Sequence, residues 1–310
     1  MDKSLKLKTE EIKKFLKESL DNIGFDSIKR ECVDSFQHEA EFIYLLNGKD
    51  VVGQYFLRAY KGNFSWWTIF GDLPKREEVS IKYLKDLGVP CPDVIAIGVI
   101  NNISVILTQK VNAITLKGNL DETNIYKLAF ELGSLHRKSL ANPIESAHLP
   151  DVSIDKLFEL MSEWSIETKD QRVIDAVKIT KDRINLKCRK VSFLHGDLNV
   201  GNILLEKEQL LFIDFEESVI GSPMIDVATF CEQLRRYKKT ELIKLFIKKY
   251  EESSGYNVDE LESWMKIMDL RDLVTGALIK SRLKEGLQLP LFNHDAWIKY
   301  GDKVLKSYSV

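Results

Sequence analysis

The stretch Val191–Asp226, VSFLHGDLNVGNILLEKEQLLFIDFEESVIGSPMID, constrains this chain more than any other. Two short apolar runs, Ile203–Leu205 and Leu210–Ile213, flank the polar turn Glu206–Gln209. That is the pattern of a β-hairpin. With Leu205 facing Leu210, antiparallel register sets Asn202 opposite Ile213, one residue before Asp214. The open end of one hairpin thus brings an amide and a carboxylate together. Asp197 sits in the loop that leads into the same end.

This arrangement suits phosphoryl transfer, which relies on positioning, on metal ions at the nucleotide phosphates and on a carboxylate that orients a hydroxyl. Magnesium takes hard oxygen ligands and keeps several waters, so one Asp and one Asn oxygen beside the phosphates are adequate. His195-Gly196-Asp197-Leu198, Asn202 and Asp214-Phe215-Glu216 keep the spacing of the protein-kinase HRDLxxxN and DFG elements. With Gly221-Ser222-Pro223-Met224-Ile225-Asp226 downstream, the stretch resembles the aminoglycoside phosphotransferase and choline kinase superfamily.

The resemblance runs from about Phe36 to Asp226 and implies an α+β fold, bilobal and protein-kinase-like. Residues 1–110 would form a β-rich, nucleotide-binding N-terminal lobe with a leading helix. Residues 111–310 would form a mostly helical lobe for catalysis and acceptor binding. The implied reaction moves the γ-phosphoryl group of ATP, or of GTP, to a hydroxyl of a small molecule with Mg2+ as cofactor. Asp197 would be the catalytic base or orienting carboxylate, and Asn202 and Asp214 the metal ligands. Asp226 would accept hydrogen bonds from the catalytic-loop backbone. Glu216 and Glu217 either orient substrate or support their loop, and loop support is the preferred reading.

Earlier in the chain, Thr9–Asp21 has helical apolar spacing at Ile12, Phe15, Leu16 and Leu20. Strands are expected around the turn Asn47–Asp50. Arg58 ends the second of them, where the resembled enzymes hold nucleotide phosphates; Lys61 and Lys49 are alternatives, as is a surface arginine paired with a carboxylate. A helix over Lys75–Leu87, stopped by Gly88-Val89-Pro90, carries Glu77 at the position that pairs with the phosphate-binding cation, with Glu78 as the neighbouring candidate. The segment Ser35–Ala40 replaces a phosphate-covering loop but has no glycine. His38 within it reads as a solvated loop histidine, with a phosphate contact as the alternative. Trp66, Trp67 and Phe70 suggest a lid or packing between lobes. Gln109 and Val111 fall at the hinge, where backbone groups would meet the adenine. Leu132–Arg137 resembles the superfamily's LGxLH, and His136 reads as structural.

Composition narrows the partners. A chain of 310 residues can hold two lobes. A net charge of −2 gives no electrostatic footprint for nucleic acid or an anionic membrane. No apolar stretch reaches membrane-spanning length, and four scattered cysteines without CxxC spacing point to free thiols and a cytoplasmic location. The expected acceptor wall, Met224–Val310, sets Glu232, Glu262, Asp269 and Asp272 against Arg235, Arg236, Lys238, Arg271, Lys280 and Arg282. That balance disfavours a polycation and favours a neutral or modestly charged acceptor such as a sugar or amino alcohol, with Asp269 and Asp272 as the best carboxylate pair. Two rivals are a protein Ser/Thr kinase, for which a dozen residues between Asp214 and Asp226 leave little activation segment, and a non-catalytic nucleotide-binding pseudokinase module.

Overall fold

The computed structural model describes residues 7–20, 22–33, 38–60, 72–145, 147–184, 186, 191–286 and 294–308. The loop with Trp66, Trp67 and Phe70, the alternative cation Lys61 and Ser35–Gln37 of the Ser35–Ala40 segment lie outside them.

Helix α1 (Thr9–Ser19) precedes strands β1 (Ser27–Val33), β2 (Glu39–Asn47) and β3 (Asp50–Ala59). Helix α2 (Leu73–Asp86) and strands β4 (Val94–Ile100) and β5 (Ile103–Gln109) follow. The strands form one antiparallel sheet in the order β1-β2-β3-β5-β4. Asn101 and Asn102, both at positive φ, close the β4–β5 hairpin. The two-residue period of β3 decides the use of each face. Leu57 joins Ile43, Leu45 and Leu107 under Ile12, Phe15 and Leu16 of α1. Phe56 and Arg58 face the opposite side and line a cleft. Each large side chain buried beneath α1 contributes about 1.5–3 kcal/mol, so α1 is a structural brace.

Helix α2 is capped by Asp72, whose side chain accepts from the Lys75 N–H. It packs on two sides. Leu73 meets Tyr60 and Ile106 of the sheet, whereas Ile81 and Leu84 enter the large core built by the following helices. Glu77, between these anchors, is therefore held at the boundary of the two cores.

The remainder is mainly helical: α3 (Glu122–Ala141), α4 (Ile154–Glu167), α5 (Gln171–Arg183), α6 (Met224–Arg236), α7 (Ile243–Ser254), α8 (Leu261–Lys284) and α9 (His294–Tyr308). Gly133 of the LGxLH run lets α3 cross α7 closely; a Cβ there would stand 2.9 Å from the Tyr250 carbonyl oxygen. Short strands β6 (Ile114–Thr115), β7 (Asp151–Val152), β8 (Ser192–Leu194), β9 (Ile203–Glu206), β10 (Gln209–Phe212) and β11 (Val219–Gly221) form two small sheets, β10-β9-β6 and β7-β11-β8. The β9–β10 hairpin pairs Leu205 with Leu210. Its register continues to a bond from the Ile213 N–H to the Asn202 carbonyl. No helix among the described residues is long and apolar enough to cross a membrane.

Candidate active site

Sheet face, hairpin end and helical wall enclose one cavity of about 690 Å³. The loop after β8 is shaped by Asp226 at the start of α6. Its buried carboxylate accepts from the His195 N–H at 2.8 Å and from the Gly196 N–H at 3.0 Å. His136 Nε2 lies 3.3 Å from the same group, and His136 Nδ1 lies 2.8 Å from the Tyr250 hydroxyl. Burial alone would raise the Asp226 carboxyl, but the His136 hydrogen bond and the backbone donors hold it below the usual range. Asp226 and His136 are thus structural, as their positions anticipate. Gly196, at φ +81°, turns the chain so that Asp197 enters the cavity.

Asp197 Oδ2 accepts from Asn199 Nδ2 at 2.9 Å and from Asn202 Nδ2 at 3.1 Å. Two amides fix one carboxylate oxygen and leave Oδ1 for another partner. Burial pushes the Asp197 carboxyl up, with the Arg271 guanidinium pulling it back. Asp214 leaves β10 in the left-handed region at φ +71°. That conformation is uncommon outside glycine and is typical of over-determined functional positions.

Arg58 is buried, which excludes the surface-arginine reading. Its Nη1 lies 2.7 Å from Asp214 Oδ1, 2.9 Å from Glu77 Oε2 and 3.6 Å from Glu216 Oε2. Burial would depress this guanidinium, and Asp214 and Glu77 more than offset that, holding it well above its ordinary value. Burial pushes Glu77 up to about 7 against the pull of Arg58. The Tyr60 hydroxyl also donates to Glu77. Glu78 instead pairs with Lys75 at the surface. The alternative cation Lys49 is exposed in the β2–β3 turn. At about 3.3 Å per residue the strand carries it roughly 30 Å from Arg58, too far to share a ligand.

Two expectations change. His38 is not solvated: it is buried, its Nε2 is 2.7 Å from Glu216 Oε2, and its ring tilts against Tyr60. Glu216 does more than prop its loop. Its carbonyl accepts from Arg76 at 3.0 Å, while its carboxylate joins those of Glu77 and Asp214, all within 4.8 Å of one another. These are hard oxygen donors of the kind magnesium takes, and the Asn202 amide oxygen is of the same class. The residues present therefore fit a divalent cation at the hairpin end.

At the hinge, Gln109 and Val111 both line the cavity. The Gln109 N–H is already spent on the Asp93 carbonyl at 2.9 Å. The cross-strand pair Phe42 and Phe56, with ring centroids 5.8 Å apart, adds an aromatic surface to the sheet side of the cavity. On the far wall, Asp269 and Asp272 do not act as a pair. Asp269 engages Arg235 at 2.6 Å and the Tyr300 hydroxyl at 2.5 Å, whereas Asp272 lines the cavity. Lys280 and Arg282 pair elsewhere, with Asp302 and Glu167.

The model of the phosphotransferase enzyme family matches residues 39–262. The chain belongs to this family. The match spans strands β2–β5, the Arg58–Glu77 pair, the hairpin end and helices α3–α7; β1 precedes it, and it ends as α8 begins. Solved structures share the whole architecture at low identity. A putative aminoglycoside phosphotransferase from Ralstonia eutropha JMP134 aligns at 13% identity with a TM-score of 0.73, covering 98% of this chain and 96% of that one. The choline kinase of Cryptosporidium parvum Iowa II aligns at 16% identity and 0.67, covering 97% and 94%. A spectinomycin phosphotransferase, solved with ADP and spectinomycin, aligns at 16% and 0.62, covering 98% of each chain. These likenesses establish the α+β, kinase-like fold. No curated protein sequence matches this chain.

Within that fold, sequence reasoning passed over Tyr60 and the proximity of Arg271 to Asp197. Tyr60 had a signal: it continues the alternation Phe56, Arg58 onto the cleft side. Arg271 had none, because its place depends on how α8 docks.

Proposed function

We propose that this chain transfers the γ-phosphoryl group of ATP to a hydroxyl of a small molecule. The observation that carries the reading is one cavity on which Arg58, Asn202, Asp214 and Asp197 converge from a sheet, a hairpin and a loop. The division into a nucleotide lobe to about residue 110 and a catalytic lobe after it is part of the same proposal.

Arg58, held by Glu77, binds the nucleotide phosphates; a guanidinium is a permanent cation with a forked donor set suited to phosphate. Asn202 and Asp214, with Glu216 beside them, would hold Mg2+, which neutralises charge on the phosphates when bound. A related amicoumacin kinase was solved with AMP-PNP and Ca2+, which supports nucleotide and divalent-metal use here. Gln109 and Val111 present backbone to the base; with the Gln109 donor occupied, the Val111 N–H is the available donor. Asp197, its Oδ2 fixed by two amides, holds the acceptor hydroxyl through Oδ1 and takes its proton as the oxygen attacks phosphorus.

A protein substrate is disfavoured by the segment after Asp214. Phe215–Val219 and Gly221–Pro223 are buried, leaving no exposed platform to dock a peptide. A pseudokinase is disfavoured because Asp197, Asn202 and Asp214 are all present and convergent. The test is ADP release with ATP and Mg2+ across a panel of small hydroxyl compounds and a mixed protein substrate. Release stimulated only by the protein substrate would favour the rival.

A further inference from the structure

The acceptor half of the cavity is walled by one face of α6 and one of α8. Thr229, Glu232, Gln233 and Arg236 fall at helical spacing on α6, and Arg271 and Asp272 come from α8. The charges on this wall are separated into two poles. At one pole, Asp272 is shared: Oδ1 accepts from Arg271 Nη2 at 3.1 Å, and Oδ2 accepts from Arg236. Two guanidiniums thus line this pole around one carboxylate. Arg271 also exerts the strongest cationic pull on Asp197, so this pole adjoins the proposed base.

At the other pole stands Glu232, only 1% exposed and part of the cavity wall. Its Oε2 lies 2.5 Å from Arg235, which is itself half exposed and also bound to Asp269. Glu232 Oε1 is buried without a hydrogen-bond partner. A buried carboxylate oxygen left unmet is costly. Burial and the nearby Asp269 push the Glu232 carboxyl up to about 8. Arg235 and Arg236 pull it back in part, and Oε1 still lacks a hydrogen-bond donor that a ligand can supply.

We propose that the acceptor is a zwitterion, a hydroxylated amino acid. Its ammonium would meet Glu232, its carboxylate the Arg236–Asp272–Arg271 group, and its hydroxyl Asp197. Two guanidiniums offer the forked donors that a carboxylate takes. One orphaned oxygen, on a carboxyl that an arriving ammonium would ionise, matches one ammonium and falls short of a polyamine. The inference rests on the phosphotransferase reading above. In the reaction, the hydroxyl oxygen forms the new bond to the γ-phosphorus as its proton passes to Asp197. The bond to the β–γ bridging oxygen breaks, and its electron pair leaves with ADP.

The test uses three sets of compounds with the full-length protein. The first is L-serine, L-homoserine and L-5-hydroxynorvaline. The second is the same chains without the carboxylate: ethanolamine, 3-aminopropanol and 4-aminobutanol. The third is the chains without the amine: 3-hydroxypropanoate, 4-hydroxybutanoate and 5-hydroxypentanoate. Glucose and kanamycin complete the panel. Calorimetry without nucleotide measures binding, and ADP release measures transfer.

One hydroxy amino acid should bind best, and loss of either charged group should weaken it at least ~10-fold, the range of a charge-assisted hydrogen bond. E232Q should narrow the gap to the deaminated compounds, and R236Q the gap to the decarboxylated ones. A wild-type-like melting temperature shows that each variant is folded. Preference for an amine without carboxylate, for glucose or for kanamycin would overturn the zwitterion, as would failure of all the hydroxy amino acids to bind. Tight binding of a hydroxy amino acid without phosphoryl transfer to any compound would leave this inference standing and sink the phosphotransferase reading.

Discussion

Arg58 Nη1 lies 2.7 Å from Asp214 Oδ1, so the proposed phosphate cation and the proposed metal carboxylate touch directly. Glu77, 2.9 Å from the same nitrogen, completes a triad in which Arg58 and Glu77 are buried and Asp214 is partly exposed to the cleft. A buried charge stripped of one partner is destabilised more strongly than the pair is stabilising. Arg58→Ala should therefore both raise the nucleotide KM and lower the melting temperature, while Glu77→Gln reproduces part of each effect. The double variant should be impaired less than the sum, with a coupling of about 1–3 kcal/mol. Strict additivity in KM and in denaturant midpoint would show that the two residues act separately.

Asp197→Asn keeps the shape of the catalytic loop but removes the proton acceptor. Turnover should fall at least ~10²-fold, with nucleotide affinity within a few-fold of wild type. Single-turnover rates and ADP titrations check this. Loss of nucleotide affinity with an intact rate would exchange the roles of Asp197 and Asp214.

The acid limb of stability should depend on Asp226. Its folded pKa is depressed, because His136 and the backbone donors outweigh burial. Its stabilisation is therefore fully present above the unfolded carboxyl value of about 3.9 and is lost as pH falls through the lower folded value. Asp226→Ala strands the donors of His195 and Gly196 and should cost about 3 kcal/mol or more. The wild-type advantage over this variant should shrink at low pH; an undiminished gap at pH 2 would assign it to packing alone.

Glu232 has the opposite sign. Its folded carboxyl lies at about 8, above the unfolded value, so the folded state retains a proton that the unfolded state has released. Stability should decline as pH rises from about 4.5 to 8, and Glu232→Gln should remove that decline. Thermal melts at pH 5 and pH 8 measure it. A variant less stable than wild type at pH 8 would mean that Arg235 satisfies Glu232 fully.

Much of the site could be read before the fold was known. The two apolar runs around Glu206–Gln209 gave the register that sets Asn202 beside Ile213, because a hairpin ties register to local sequence. The Arg58–Glu77 pair is implied by the resemblance to the superfamily, with Lys61, Lys49 and Glu78 open as alternatives. What escaped depended on longer-range geometry. Strands β6, β7, β8 and β11 are two or three residues long and carry no period. His38 is buried by Tyr60 and Glu216, neither of them near it in sequence. The Glu216 side chain meets Glu77 and Asp214 through the left-handed turn at Asp214, whose effect on the following residues the sequence does not announce. The Gln109 donor is taken by Asp93, a detail of strand pairing that identity does not encode.

The central claim is that Asp214 holds the metal that carries the nucleotide. Calorimetric titration of ATP into wild type and Asp214→Asn, with and without Mg2+, tests it directly, alongside ADP release. In wild type, Mg2+ should tighten ATP binding at least ~10-fold. In Asp214→Asn the magnesium-dependent part should vanish with turnover, while a single cooperative melt shows that the variant is folded. Magnesium-dependent binding and turnover within a few-fold of wild type in Asp214→Asn would contradict the account.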